Sequence, residues 1–387
     1  ENASVKNMNM TLGSNAIGIF GINGKISAEN INISSKSKEA VTGILIDKKG
    51  KDLEADNRIN NANITLTNGY GIVMADSEIG KGTTLTVSNS KFDVQNVSQN
   101  GNSAAVVVGS NNNFISLGDG KISTEEFTVN NNIGIYGKEN SKINIQNSNI
   151  GITGNSVGIY SNGGNVITDN NSLLGIIAGQ DADGGAIYVE NGEITNGAVV
   201  KGLSSNFYGL AVNGKGKVKN TGNIYLGGEN NIGISLVDNN GNNSNDSSID
   251  NSGKIAIGNS LGEKRSIGIL GRNTDIINKG NLEIIGNTIG VYYSNQSEFK
   301  HKLNSIGKIS ISGKNAIGAF LKGKAEEVFL KDIVDESKNK TGYNMGIYAN
   351  ELATDKLTVE NISLQDNSLG MYLKNSNVTA NIGKISV

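Results

Sequence analysis

The phrase Asn132-Ile133-Gly134-Ile135-Tyr136 is answered one stretch later by Ser156-Val157-Gly158-Ile159-Tyr160. Each runs from a small or polar residue through apolar, glycine and apolar to a ring. The phrase first occurs as Asn15-Ala16-Ile17-Gly18-Ile19-Phe20 and last as Ser368-Leu369-Gly370-Met371-Tyr372. Between them stand copies centred on Gly268, Gly290, Gly318 and Gly346, with weaker ones at Gly43, Gly71, Gly209 and Gly233. Val106 and Ala186 take the glycine position in two more. These fourteen anchors recur at spacings clustered in the mid-twenties, with two longer gaps. A fixed period of that size marks a repeat architecture.

Each period holds a second phrase. It reads Gly222-Asn223-Ile224-Tyr225-Leu226, Gly253-Lys254-Ile255-Ala256-Ile257, Gly280-Asn281-Leu282-Glu283-Ile284 and Gly307-Lys308-Ile309-Ser310-Ile311, and ends as Gly383-Lys384-Ile385-Ser386-Val387. Alternating runs such as Lys142-Ile143-Asn144-Ile145 give a third. Apolar–polar alternation excludes helical repeats, which need a period of 3.6 residues, and a propeller blade needs about 40 residues. Leucine does not dominate, so a leucine-rich repeat is excluded too. The expected fold is all-β: a right-handed parallel β-helix of about fourteen coils, three short strands per coil, continuous over residues 1–387. The apolar residues beside each anchor glycine are expected to face inward. By strand parity, the glycine and the ring two positions later are expected to face outward.

Composition agrees. The 387 residues include 52 glycines and no proline, cysteine or tryptophan. Proline donates no N–H, and its absence suits a chain whose backbone is committed to ladders. Asparagine and glycine mark corners, where left-handed geometry is cheap, and stacked asparagines are expected to form amide ladders. Lys+Arg 34 against Asp+Glu 36 gives a net charge of −2, which does not favour nucleic acid. Apolar runs such as Ala104 to Val108 are too short to span a bilayer. The absence of cysteine removes disulfides and thiolate metal sites. The chain opens at Glu1-Asn2-Ala3 without a leader, and neither end carries a visible cap. The natural protein is therefore expected to continue in both directions.

Catalytic chemistry has few candidates. His301 is the only histidine, in the polar run Ser297 to Lys302, and reads as a solvated loop residue. Asp181 and Asp183, and the group Asp238, Asp246 and Asp250, are the nearest approach to grouped carboxylates; both read as solvated turns. No metal, cofactor or catalytic residue is expected. Binding has two candidate features. One is the ring after the anchor: Phe20, Tyr136, Tyr160, Tyr188, Tyr292, Phe320, Tyr348 and Tyr372. Such a stripe either meets a sugar or protein, or stacks for stability. The other is a set of long inter-coil segments, Lys81 to Asn102, Asp238 to Arg265 and Lys322 to Lys340. The last carries Lys322, Lys324, Glu326, Glu327 and Phe329. The ligand-binding candidates are those five together with Tyr136, Tyr160 and Tyr188.

The anchor phrase and the Gly-Lys-Ile-x-Ile strand resemble the passenger regions of type V autotransporter adhesins. They are most similar to the very large fusobacterial outer-membrane adhesins, and the resemblance covers the whole chain. It implies an exported passenger at the bacterial surface, anchored in the outer membrane through a C-terminal β-barrel outside this chain. It implies partners among host cell-surface proteins, glycans or other bacteria. No binding residue carries over, because the matching motifs are scaffold. A β-helical polysaccharide lyase or hydrolase, and a passive spacer, are the alternatives.

Overall fold

The computed structural model describes residues 2–47, 56–96, 103–118, 127–177, 181–239, 246–259, 263–337 and 343–387. All regular structure among them is β-strand. The chain divides into two compact units, Glu1–Val199 and Val200–Val387. Each is a parallel β-solenoid, and together they contain about 13 turns.

In the first unit the anchor strands Ile17–Ile22, Val41–Asp47, Gly69–Met74, Ala104–Val108 and Ile133–Gly137 pair in parallel, each with the next. The column continues through Asn149–Asn162 into Ala182–Glu190. A second column contains Asn113–Leu117, Lys142–Gln146 and Asn165–Thr168. A third runs through Lys91–Gln95, Phe127–Asn130, the start of Asn149–Asn162 and Leu173–Ile176. Three strands per coil are therefore present.

The second unit repeats this plan from Phe207–Asn213 to Leu369–Lys374. The apolar residues of its second strands align as Ile224, Ile255, Leu282, Ile309, Ile333, Ile362 and Ile385, one above the next. Two strands, Ile317–Asp335 and Met345–Ser363, each run 19 residues and continue through the left-handed residues Gly323 and Glu351.

The register corrects one anchor. Ile72 pairs with Val106 and Val106 with Ile135, so Ala105, not Val106, stands opposite Gly71 and Gly134. With that shift the residue after every anchor is apolar. In the interior coils it is fully buried, as at Ile44, Ile135, Ile159, Ile234 and Ile269. Burying such a side chain contributes roughly 1.5–3 kcal/mol.

The anchor glycines face inward, not outward. Strand Ile133–Gly137 is half-buried at Ile133, buried at Gly134 and Ile135, half-exposed at Tyr136 and buried at Gly137. Two successive inward positions break the parity on which the outward placement rested. The residue before the glycine therefore faces out with the ring. The reason is space. A Cβ on Gly290 would stand 2.5 Å from the Gly318 carbonyl oxygen and 2.9 Å from Ile309 Cγ2. A methyl is accommodated only at Ala105 and Ala186.

A second close approach shapes a corner of the second unit. A Cβ on Gly253 would lie 1.8 Å from the Gly222 oxygen, and one on Gly280 1.9 Å from that of Gly253. Beneath these glycines runs a buried amide ladder. Asn220 Nδ2 donates to Asn251 Oδ1 at 2.7 Å, and Asn251 Nδ2 to Asn278 Oδ1 at 2.7 Å. The same Nδ2 groups donate to the carbonyls of Gly222 and Gly253, each at 2.9 Å. Other corners use asparagine for its backbone. Apart from Tyr343 and Glu351, every described non-glycine residue with positive φ is asparagine.

Each of the long segments contains strands of the solenoid. Thr84–Ser88 and Lys91–Gln95 occupy the first, and Ser248–Asn251 and Ile255–Asn259 the second. The third is the latter part of Ile317–Asp335. Residues 97–102, 240–245, 260–262 and 338–340 of these segments lie outside the described residues.

Two substitutions test this packing by denaturation. Gly134→Val places a Cβ 2.4 Å from the Gly158 carbonyl oxygen and 2.8 Å from Val129 Cγ2, and is expected to cost about 1–3 kcal/mol. Gly13→Ala, with nothing within 4 Å of its Cβ, serves as the neutral control. Asn251→Ala strips partners from buried Asn220 and Asn278 and is expected to cost about 1–3 kcal/mol for each group left unpaired. Asn32→Ala breaks only an exposed 2.7 Å bond to Asn9 and is expected to change stability by less than about 0.5 kcal/mol.

Candidate functional site

Because coils stack in register, the rings after the anchors form columns. In the first unit Tyr136 and Tyr160 have centroids 5.5 Å apart, tilted by 33°, while Tyr160 and Tyr188 stack at 5.6 Å and 4°. In the second unit Tyr292 and Phe320 stack at 4.7 Å and Phe320 and Tyr348 at 5.0 Å, while Tyr348 and Tyr372 lie 5.5 Å apart, tilted by 32°. Phe20 pairs with Leu45 and stands outside any ring column, 55% exposed. Stacked rings cover one another's faces, so each column turns edges and phenol groups to solvent. The stacking supports stability by about 0.5–1.5 kcal/mol per pair. The rings do stack, and stacking does not exclude contact with a ligand through their edges. The columns offer hydrogen-bonding edges to a ligand, not flat platforms.

Tyr160 is the electrostatically distinct member. Partial burial, then a hydrogen bond and the charge of Glu190, then its neighbouring tyrosines push its phenol up to about 12. Asn162 and Glu190 are opposite each other two residues further along the strands.

The charged strand belongs to the second unit, and its ions are largely paired across coils. Lys322 Nζ lies 3.5 Å from Glu351, Glu326 lies 3.1 Å from Lys302, and Glu327 lies 2.6 Å from Lys356. Such exposed pairs contribute about 0–1 kcal/mol each. Lys324 is exposed, and its carbonyl accepts from Asn295 Nδ2 at 2.8 Å. Phe329 is half-exposed, opposite Thr358. Tyr136, Tyr160 and Tyr188 are thus one cluster, and the five residues of 322–329 another, on a different unit.

His301 is buried rather than solvated. It is 0% exposed at the start of strand His301–Ser305, with Nδ1 3.3 Å from Asp275 Oδ1. Its alternation with buried Leu303 and Ser305 places it on the inner face of that strand. The Tyr293 hydroxyl lies 3.1 Å from the His301 carbonyl and 2.9 Å from that of Lys324, and burial raises its phenol above the ordinary value. A ring sealed in this way reaches no substrate. Asp238 is corrected likewise: it is 2% exposed, and its carboxylate accepts from Ser247 Oγ at 2.7 Å. Asp181 and Asp183 are solvent-exposed, as expected, although Asp183 lies in a strand, opposite Asn155 rather than another carboxylate. Among the described residues no three His, Asp or Glu side chains group to hold a metal ion, and no helix is long and apolar enough to cross a membrane.

One concavity was not anticipated. A pocket of about 290 Å³ opens in the first unit where successive coils enter their anchor strands. Asn96 and Ser103 line it from one coil, Asn131 to Ile133 from the next, Asn155 and Val157 from a third and Asp183 from a fourth. Apart from Asn96, each of these residues precedes an anchor by one to three positions. In the sequence they are part of the repeat's small-or-polar lead-in, so nothing separates them from the same positions in other coils.

Comparison with known proteins gives no relative: no family model matches the chain, and neither does any curated protein or solved structure.

Alkaline titration tests the tyrosine column. An unfolded tyrosine loses its proton near pH 10, whereas in the fold Tyr160 holds it to about 12. Between those values the unfolded chain carries fewer protons, so stability falls as pH rises through the window. Tyr160→Phe is expected to remove that part of the slope in urea unfolding measured at several alkaline pH values. An unchanged slope would show that Tyr160 titrates alike in both states.

Proposed function

We propose that this chain is a surface-displayed binding protein, the passenger of an autotransporter adhesin that attaches a bacterium to host cells or to other bacteria. The observation that carries the reading is the half-exposed column Tyr136, Tyr160 and Tyr188, held at fixed spacing on a parallel scaffold. Rigid aromatic side chains with a polar tip bind at low cost in conformational entropy and are enriched at recognition surfaces. The repeat phrases and their resemblance to fusobacterial passengers support export and an outer-membrane anchor beyond this chain.

Beads coated with the purified chain are expected to bind host epithelial cells or partner bacteria saturably. The triple variant Tyr136→Phe, Tyr160→Phe and Tyr188→Phe keeps the stack but removes its hydroxyls, and is expected to weaken attachment roughly tenfold, about 1.4 kcal/mol. No attachment to either cell type would identify the chain as a spacer. Depolymerisation of a polysaccharide by the purified chain, lost in Asp181→Asn with Asp183→Asn, would make it an enzyme instead.

A further inference from the structure

The tyrosine column of the first unit has a chemical property that attachment does not use. Cysteine and tryptophan are absent, so tyrosine is the side chain here that gives up one electron most readily. Stacking holds Tyr160 between two more phenols, Tyr136 at 5.5 Å and Tyr188 at 5.6 Å. The three residues are exact partners in register, so their side chains have equal reach from the sheet. The Cε carbons beside each hydroxyl therefore stand next to those of the neighbouring ring. All three rings are half-exposed, which opens their edges to an oxidant.

Tyr160 also has a place for its proton. Its hydroxyl donates to the Glu190 carboxylate. A phenol that loses an electron becomes a strong acid, and a hydrogen-bonded carboxylate takes up the proton as it leaves. The second unit carries its own control. There Phe320 lies between Tyr292 and Tyr348, 4.7 Å from one and 5.0 Å from the other, and it has no hydroxyl to lose. Only Tyr348 and Tyr372 are adjacent phenols in that column, at 5.5 Å. Tyr343 is the most exposed tyrosine, at 65%, and has no ring beside it among the described residues. Proximity and exposure are thus separated within one molecule.

We propose that the column Tyr136, Tyr160 and Tyr188 is an oxidative cross-linking site, where hydrogen peroxide acting through a haem peroxidase joins Tyr160 to a neighbouring coil as dityrosine. The proposal goes beyond the binding reading and needs no ligand. Each of two adjacent phenols gives one electron to the peroxidase and releases one proton, that of Tyr160 passing to Glu190 and on to water. The two radicals join through one Cε carbon of each ring. Each joined carbon then loses its hydrogen as a proton, and each phenol oxygen takes one up, which restores both aromatic rings. In total two hydrogen atoms leave the protein and one hydrogen peroxide becomes two waters. Holding the rings side by side makes the coupling intramolecular and favours it over encounters between chains. The new bond closes a loop of one coil and constrains the unfolded chain as a disulfide does. A chain without cysteine forms no disulfide, and paired tyrosines give it another oxidative route to the same end.

Treatment of the dilute full chain with hydrogen peroxide and a haem peroxidase tests this. Products are read by dityrosine fluorescence, intact mass, thermal midpoint and peptide mapping after cleavage at lysine and aspartate. Lys138 and Lys142 separate Tyr136 from Tyr160, and Asp169, Asp181 and Asp183 separate Tyr160 from Tyr188, so each link gives its own joined peptides. The expected products are monomers lighter by two hydrogens per bond and with a raised thermal midpoint. Their links join Tyr160 to Tyr136 or Tyr188, and Tyr348 to Tyr372. Tyr160→Phe keeps the stack and is expected to abolish the first unit's links while the Tyr348–Tyr372 link remains. Phe320→Tyr is expected to add links to Tyr292 or Tyr348. Glu190→Gln, whose amide cannot take the proton, is expected to slow linking at Tyr160 severalfold against Tyr348–Tyr372 in the same molecule. Monomers without dityrosine, a Tyr136–Tyr188 link in Tyr160→Phe, or links that favour Tyr343 overturn the site. Linked monomers that melt no higher than the untreated chain overturn its fastening of the coils. An unchanged ratio of the two links in Glu190→Gln overturns Glu190 as the proton acceptor.

Discussion

The structure depends on how closely one coil can approach the next. Parallel strands stack about 4.8 Å apart, and at the anchors, as at one corner of the second unit, that spacing puts a carbonyl oxygen where a Cβ would stand. At the anchors the oxygens of Gly43, Gly158 and Gly318 fill that space for Gly18, Gly134 and Gly290. At the corner of the second unit the oxygens of Gly222, Gly253 and Gly280 do so for Gly253, Gly280 and Gly307. The recurring glycine is thus a requirement of stacking and not of turning. It also explains why a recurring spacing of small residues coexists with varied side chains elsewhere in the coil.

Asparagine answers the complementary problem, which is to leave no polar group unpaired inside the corner. One amide in the buried ladder donates both to its own coil's glycine carbonyl and to the next asparagine, and accepts from the preceding one. Where the corner is exposed, asparagine serves again. Asn7, Asn30 and Asn61 adopt positive φ and link through their side chains at 3.0 and 2.7 Å. The charges outside follow the same register. Lys6 faces Glu29 and Lys254 faces Glu283, so a slip of one residue would break both packing and pairing.

Periodicity made the coils, the three strands and the isoleucine column legible in the sequence, because each is a residue type at a fixed interval. What failed were inferences about direction. The run from Ala104 to Val108 is apolar throughout, so its anchor was indeterminate by one position until Ile72 and Ile135 fixed it. Strict alternation placed the glycines outside, but two consecutive inward residues at each anchor defeat a period of two. His301 sits among lysine, glutamate and serine, and only the strand that begins there turns it inward. The three long segments stood out by the length of chain between anchors, although their strands carry the same buried apolar positions as the other coils, such as Leu85, Val87, Ile255 and Val328. The binding candidates fared differently again. The tyrosine column was visible as a stripe, whereas the stacking that hides its faces is a three-dimensional fact.

The pocket shows why recognition on such a scaffold is hard to read from repeats. A solenoid of identical coils has ridges but no concavity, since every side chain is flanked by its own copy. A notch needs neighbouring coils that differ. The passage from third strand to anchor strand does differ across the pocket. Phe127–Asn130 and Ile133–Gly137 are separated by two residues, Asn149–Asn162 runs through without a break, and Leu173–Ile176 and Ala182–Glu190 stand further apart. The two-residue turn puts Asn131 in left-handed geometry and Asn132 against the Val94 carbonyl. The uninterrupted strand carries Gly154 beneath Asn131. Unequal corner lengths thus bring polar side chains from four successive coils around one recess. Ligand specificity on this fold is accordingly expected where corner length changes between adjacent coils, since a regular stack only repeats the same surface.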